Sequence, residues 1–120
     1  MTTSSAPPTV AVIGASSQRH KYGNKSVRAH AALGYVVYPI HPTATEIEGW
    51  RAYPSLRDLP IDRLDRVTLY VLPHIGRTLL EQIAEKHPAE VWLNPGTESP
   101  KLVAEAEALG LPIIQACSIV

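Results

Sequence analysis

The feature that most constrains the fold is an alternation. Five short apolar runs, "TVAVIG", "YVVYPI", "RVTLYVL", "AEVWLN" and "LPIIQAC", are separated mainly by longer segments with helical period. Strands buried on both faces read as near-continuous apolar runs, and strands that alternate with helices assemble into parallel βαβ units. Right-handed crossovers then put the helices on both sides of the sheet. The sequence therefore predicts an α/β protein: a single Rossmann-like domain, with a mostly parallel sheet of about five strands and helices on both faces. Its 120 residues suit one domain with a core of its own.

Local signals fill in the connections. After the first run, Asn24 or Ser26 can cap a helix through "VRAHAALG", with Gly34 as its stop. "HIGRTLLEQIAEKH" follows Pro73 with apolar residues at helical spacing, and "PKLVAEAEALG" begins with Ser99 as N-cap and Pro100 at the first position. "TATEIEGWRAYPSLRDLP" is rich in turn residues, with room for a short strand at "WRAY" and a brief helix at "SLRDL". Residues 1–8, "MTTSSAPP", read as a flexible N-terminal tail, which leaves 9–120 as the domain.

Composition narrows the function. With 45% hydrophobic and 18% charged residues, the chain is ordinary for a globular protein. Lys plus Arg and Asp plus Glu are both 11, so the electrostatic surplus that general nucleic-acid binding needs is absent. A local basic cluster of Arg19, His20, Lys21, Lys25 and Arg28 remains. No segment approaches the ~20 apolar residues that span a bilayer, and the start lacks the pattern of a signal peptide, so a cytoplasmic location without a membrane partner is expected. Cys117 is the lone cysteine and the five histidines are scattered, so neither an internal disulfide nor a metal site is expected.

Ligands of open parallel sheets bind outside the carboxyl ends of the strands, where the strand order reverses. The segments "GASSQRHKYGN", "HPTATE", "LPHIG", "NPGTES" and "CSIV" would converge there. A nicotinamide fingerprint needs G-x-G-x-x-G and an acid about 20 residues on. Here Gly14 is followed by Ala15 and Ser16, and the second strand ends in Ile40 and His41. The mononucleotide loop G-x-x-x-x-G-K-[ST] is absent as well, although Lys25-Ser26 follows Gly23. What remains is an anion site: a turn at Gly14, hydroxyls and amides at Ser16 and Ser17, and the partial positive charge of a helix start.

"VAVIGASS", "YGNKS", "GYVVYPIHP", "EIEGWRAYPSLRDLP", "VTLYVLP", "VWLNPGTES" and "GLPIIQAC", in that order, resemble the family of small stand-alone coenzyme A-binding proteins. Those proteins are similar to the coenzyme A-binding domain of the succinyl-CoA synthetase α subunit. The resemblance covers Thr9 to Cys117 and implies coenzyme A or an acyl-CoA as ligand. It implies that Gly14, Ala15, Ser16 and Ser17 hold the phosphates, flanked by Tyr22 and Asn24. Pro42 would border the nucleotide, Val71, Leu72 and Pro73 would line an adenine slot, and Gly96, Thr97 and Glu98 would lie near the pantetheine path.

This chain departs from the family's usual pattern in four places. His41 stands where Asn usually precedes the proline, and Thr43 where a basic residue often follows it, so Arg19, Lys21 or Lys25 would have to neutralise a 3′-phosphate. "WLNPG" replaces "WLQLG" near the thiol end. "QAC" also replaces "DRC" before Cys117, which is read either as a buried structural cysteine or as a group that meets the coenzyme thiol. His41 and His74 are read as ligand contacts or solvated loop residues before they are read as acid–base groups.

The leading expectation is a coenzyme A or acyl-CoA binding protein with no catalytic residues of its own. A synthetase of the resembled type needs a phosphorylated histidine on a second domain and a nucleotide-grasping partner, and 120 residues leave room for neither. A homodimer or a partner subunit is compatible with this. The alternatives are a redox or acyl-transfer protein that uses Cys117 in the same pocket, and a binding module for another nucleotide such as NAD.

Overall fold

A computed structural model describes residues 6–119. Strands β1 (Thr9–Ile13), β2 (Val36–Ile40), β5 (Arg66–Leu69), β6 (Glu90–Leu93) and β7 (Ile113–Gln115) form one sheet in the order β2-β1-β5-β6-β7. Every pairing in it is parallel. Helices α1 (Tyr22–Ala32), α2 (Pro73–Glu85) and α3 (Pro100–Ala108) make three of the four crossovers, and the connection from β2 to β5 has no α-helix. The chain steps outward from β1 to β2 and then returns to lay β5 on the other side of β1. The order therefore reverses between β1 and β5.

The pleat explains the two cores. Val10 and Val12 point to one face, where they meet Val27 of α1 and Val37 of β2. Ala11 and Ile13 point to the other, with Val67, Leu69, Val91 and Leu93 under Leu80 and Ile83 of α2 and Leu102 of α3. β1 is thus buried on both sides, as its unbroken apolar run requires.

Several predicted boundaries move. The helix after β1 begins at Tyr22, with Lys21 at the N-cap and no side-chain cap, so neither Asn24 nor Ser26 caps it. Asn24 is turned inward, and the Ser26 hydroxyl lies 3.2 Å from Nδ1 of His30 one turn on. The short strand at "WRAY" is β4 (Trp50–Arg51), and it pairs antiparallel with β3 (Glu46–Ile47), inside the stretch rich in turn residues. Glu48 and Gly49, at φ +51° and +82°, join the two. The "SLRDL" helix is a single 3-10 turn at Leu56–Asp58. α3 starts as expected, with the Ser99 hydroxyl accepting from the Leu102 amide at 3.1 Å.

Most of the predicted tail, residues 1–5, lies outside the described residues. Pro8 is already in the fold, where its carbonyl accepts from the Val36 amide at 2.8 Å.

Candidate functional site

A groove of about 760 Å³ opens at the carboxyl ends of β1 and β5, where the strand order reverses. Two glycines shape it. Gly14 leaves β1 at φ +86°, and a Cβ there would stand 2.7 Å from the Tyr70 carbonyl oxygen. Gly23, in the first turn of α1, lies against the Gly14 carbonyl so closely that a Cβ would collide with it. The pair brings the start of α1 directly onto the β1 turn.

That helix end faces the groove without a cap. Lys21 accepts the amides of Asn24 and Lys25 at 3.1 and 3.0 Å, while those of Tyr22 and Gly23 have no acceptor among the described residues. The first turn carries no acidic residue. The start of α2 likewise has no side-chain cap, whereas α3, which begins away from the groove, has Ser99. Free amides and the helix dipole together give a site for an anion.

Of the residues singled out from sequence, Gly14, Ala15, Ser16, Ser17, Lys21, Tyr22, His41, Val71, Leu72, Gly96 and Thr97 line this groove. Tyr22 and Leu72, 61% and 59% exposed, stand at its lips. Ser16 Oγ accepts from the Gln18 amide at 3.0 Å and so holds the turn.

Five others lie elsewhere. Asn24 is fully buried; its amide nitrogen donates to the Ser16 carbonyl at 2.9 Å and to Glu48 at 3.0 Å, and its oxygen accepts from Arg28 at 2.8 Å. It fastens the loop from below. Lys25 sits over the Tyr22 ring at 4.9 Å, outside the groove. Pro42 lines a separate cleft, Pro73 opens α2, and Glu98 faces a smaller pocket beside Gln115. Of the cations expected to meet a further phosphate, Arg19 is already 3.5 Å from Glu48, and Lys21 lines the groove.

Gln18, His20, Gly23 and Pro95, from segments the sequence brings to this edge, also line the groove, and Gly23 marks a close approach as a glycine inside a helical turn can. Tyr70 lies outside those segments, and sequence reasoning misses it.

His41 takes over a turn role. Its Nδ1 accepts from the amides of Thr43 at 3.1 Å and Ala44 at 2.9 Å, as an Asn side chain does in such turns. Nε2 therefore carries the ring hydrogen, and the imidazole is a donor at the groove wall.

Under the groove runs a buried polar chain. Asn94 donates to the Thr68 hydroxyl at 2.6 Å and to the Leu69 carbonyl at 2.8 Å, and accepts from the Ser118 amide at 2.9 Å. Ser118 also meets Tyr70 at 3.0 Å, while the Thr97 hydroxyl donates to the Val71 carbonyl at 2.7 Å. The "WLNPG" departure is thus structural: its Asn binds the C-terminal segment to β5. Cys117, next to Ser118, is half-buried and not in the groove lining.

His30 is a buried titratable group away from the groove. Nδ1 donates to the Ser26 carbonyl at 2.9 Å and Nε2 accepts from Arg66 at 3.2 Å, which fixes the neutral form. Burial, chiefly, and the nearby Arg66 charge push its pKa below the usual histidine range, against the Ser26 hydrogen bond. Among the described residues no cluster of His, Cys, Asp or Glu could hold a metal ion, and no helix is long and apolar enough to cross a membrane.

Comparison with known proteins agrees with this architecture. The chain is 32% identical over 80 residues to acetate–CoA ligase [ADP-forming] I of Archaeoglobus fulgidus, a match covering 67% of this chain and 12% of the relative. It therefore spans only about an eighth of that protein's length. A hypothetical protein from Pyrococcus horikoshii superposes with TM-score 0.81 at 31% identity, over 89% of this chain and 74% of that one. A dinucleotide-forming acetyl-coenzyme A synthetase of Ca. Korarchaeum cryptofilum, solved with phosphate and ADP, superposes with TM-score 0.77 at 26% identity, over 92% of this chain and 26% of that one. The sequence profile of the CoA binding domain family matches residues 8–120, and the chain belongs to that family.

Proposed function

We propose that this chain binds coenzyme A or an acyl-CoA in the groove between β1 and β5. The observation that carries the reading is the uncapped start of α1, which the Gly14–Gly23 contact holds against the β1 turn. The pyrophosphate would take the amides of the Ser16–Ser17 turn and of Tyr22 and Gly23, with Lys21 and His20 nearby. The adenine would lie against Val71 and Leu72 under the Tyr22 lip, and the pantetheine arm would leave past Gly96 and Thr97.

The chain is a binding protein with no catalytic residue of its own, and coenzyme A is its ligand. It acts in the cytoplasm, without nucleic acid or membrane, alone, as a homodimer or beside a partner subunit.

Ser16→Asp tests the phosphate assignment. An Asp carboxylate can accept from the Gln18 amide as the Ser16 hydroxyl does, so the turn should persist while a fixed negative charge enters the site. Calorimetry should show at least a tenfold loss of coenzyme A affinity at unchanged melting temperature, on the order of the 1.4 kcal/mol that defines tenfold. Unchanged affinity would remove the phosphates from this turn.

A further inference from the structure

We propose that Arg51 binds a phosphomonoester on the ligand's ribose and makes this chain selective for ribose-phosphorylated nucleotides. The proposal rests on the coenzyme A reading, because coenzyme A carries a 3′-phosphate on its ribose. In nucleotide-binding sheets of this kind, the end of the second strand reads the ribose: an acid takes bare hydroxyls, and a nearby arginine accommodates a phosphate. Here β2 runs into His41, and no acid occurs from His41 to Thr45.

Instead, a second cleft of about 490 Å³ opens between Pro42–Thr45 and Arg51–Pro54. It begins one residue after His41, which lines the main groove, so a nucleotide whose phosphates lie at Gly14 can extend its ribose into it. The wall bearing Arg51 is fixed. The Tyr53 amide donates to the Pro39 carbonyl and the His41 amide to the Tyr53 carbonyl, each at 2.9 Å. The Arg51 guanidinium lies 5.2 Å from the Tyr53 ring centre, which orients its fork.

Arg51 is exposed and forms no ion pair among the described residues, unlike Arg57, Arg66 and Arg77, although Glu46 stands opposite it in the β3–β4 pair. Asp58 lines the same cleft, but its carboxylate accepts from the Ser55 hydroxyl at 2.8 Å. Thr43 lines the same cleft and offers a hydroxyl and no charge. The positive charge missing at Thr43 is thus supplied from β4.

Coenzyme A and dephospho-coenzyme A are titrated into the parent, Arg51→Gln and Arg51→Lys at low salt. The parent should prefer coenzyme A about tenfold, as a charge-assisted contact allows. Arg51→Gln should abolish that preference without weakening dephospho-coenzyme A, Arg51→Lys should keep part of it, and Asp58→Asn should enlarge it. Equal affinities in the parent, an unchanged ratio in Arg51→Gln, or equal weakening of both ligands would overturn the assignment. If the parent binds neither ligand, the coenzyme A reading itself has failed and this proposal falls with it.

Discussion

Gly23→Ala isolates the contact on which the groove depends. The added methyl would overlap the Gly14 carbonyl oxygen and stand 3.0 Å from the carbonyl carbon and 3.2 Å from Ala15 Cα. All three are backbone atoms, so no side chain can swing away. Relief requires the start of α1 to retreat by a distance on the order of 1 Å, and overpacking of this kind costs about 1–3 kcal/mol. The better helix propensity of alanine returns up to about 1 kcal/mol. A net loss of about 1–2 kcal/mol lowers the melting temperature by roughly 4–8 °C for a domain of this size. The same retreat carries the free amides of Tyr22 and Gly23 out of hydrogen-bond range, so coenzyme A affinity should fall at least tenfold.

Gly34→Ala is the control. Gly34 has φ +91° with open space around its Cα, so alanine there costs about 1 kcal/mol of backbone strain and leaves the groove untouched. Thermal unfolding and calorimetry on the two variants separate the effects. If Gly23→Ala melts and binds like the parent, or if Gly34→Ala loses affinity equally, the close approach of α1 to the β1 turn is not what builds the site.

His30 makes stability depend on pH. Its folded pKa lies below 6.5, so below pH 6.5 the unfolded state binds the extra proton first and stability falls with decreasing pH, by up to about 1.4 kcal/mol per unit, until the folded pKa is reached. Urea titrations at pH 7.5 and 5.5 should show this drop, and a His30→Gln variant should flatten it; the shifts of Glu85, Glu90 and Glu105 are downward and act only below the ordinary glutamate value of 4.5. Asn94→Ala should cost about 3 kcal/mol by stranding buried partners, with accelerated amide exchange at Ser118. His41→Asn should retain the turn at Thr43 and Ala44, whereas His41→Ala should lose about 1 kcal/mol in urea unfolding.

The five strands of the main sheet, α2 and α3 are legible because apolar runs mark the strands, helical spacing after Pro73 marks α2, and the Ser99 cap marks α3. β3 is not, because a two-residue strand has no periodicity to read, and its turn uses Glu48-Gly49 in place of the usual Asn-Gly. The start of α1 is not legible for a related reason. Its N-terminus is uncapped, so the Asn24 and Ser26 side chains, which look like capping groups, were free to bond inside the fold. At the site, the Gly14–Ser17 turn can be found from its residue types, but the lining by Tyr70 depends on the strand order, which local sequence does not encode.

The most direct measurement is a residue-resolved amide spectrum recorded while coenzyme A is added. The account predicts saturable shifts concentrated from Gly14 to Gly23 and at Val71 and Leu72. Saturable shifts confined to another face, or none at millimolar coenzyme A, would contradict it.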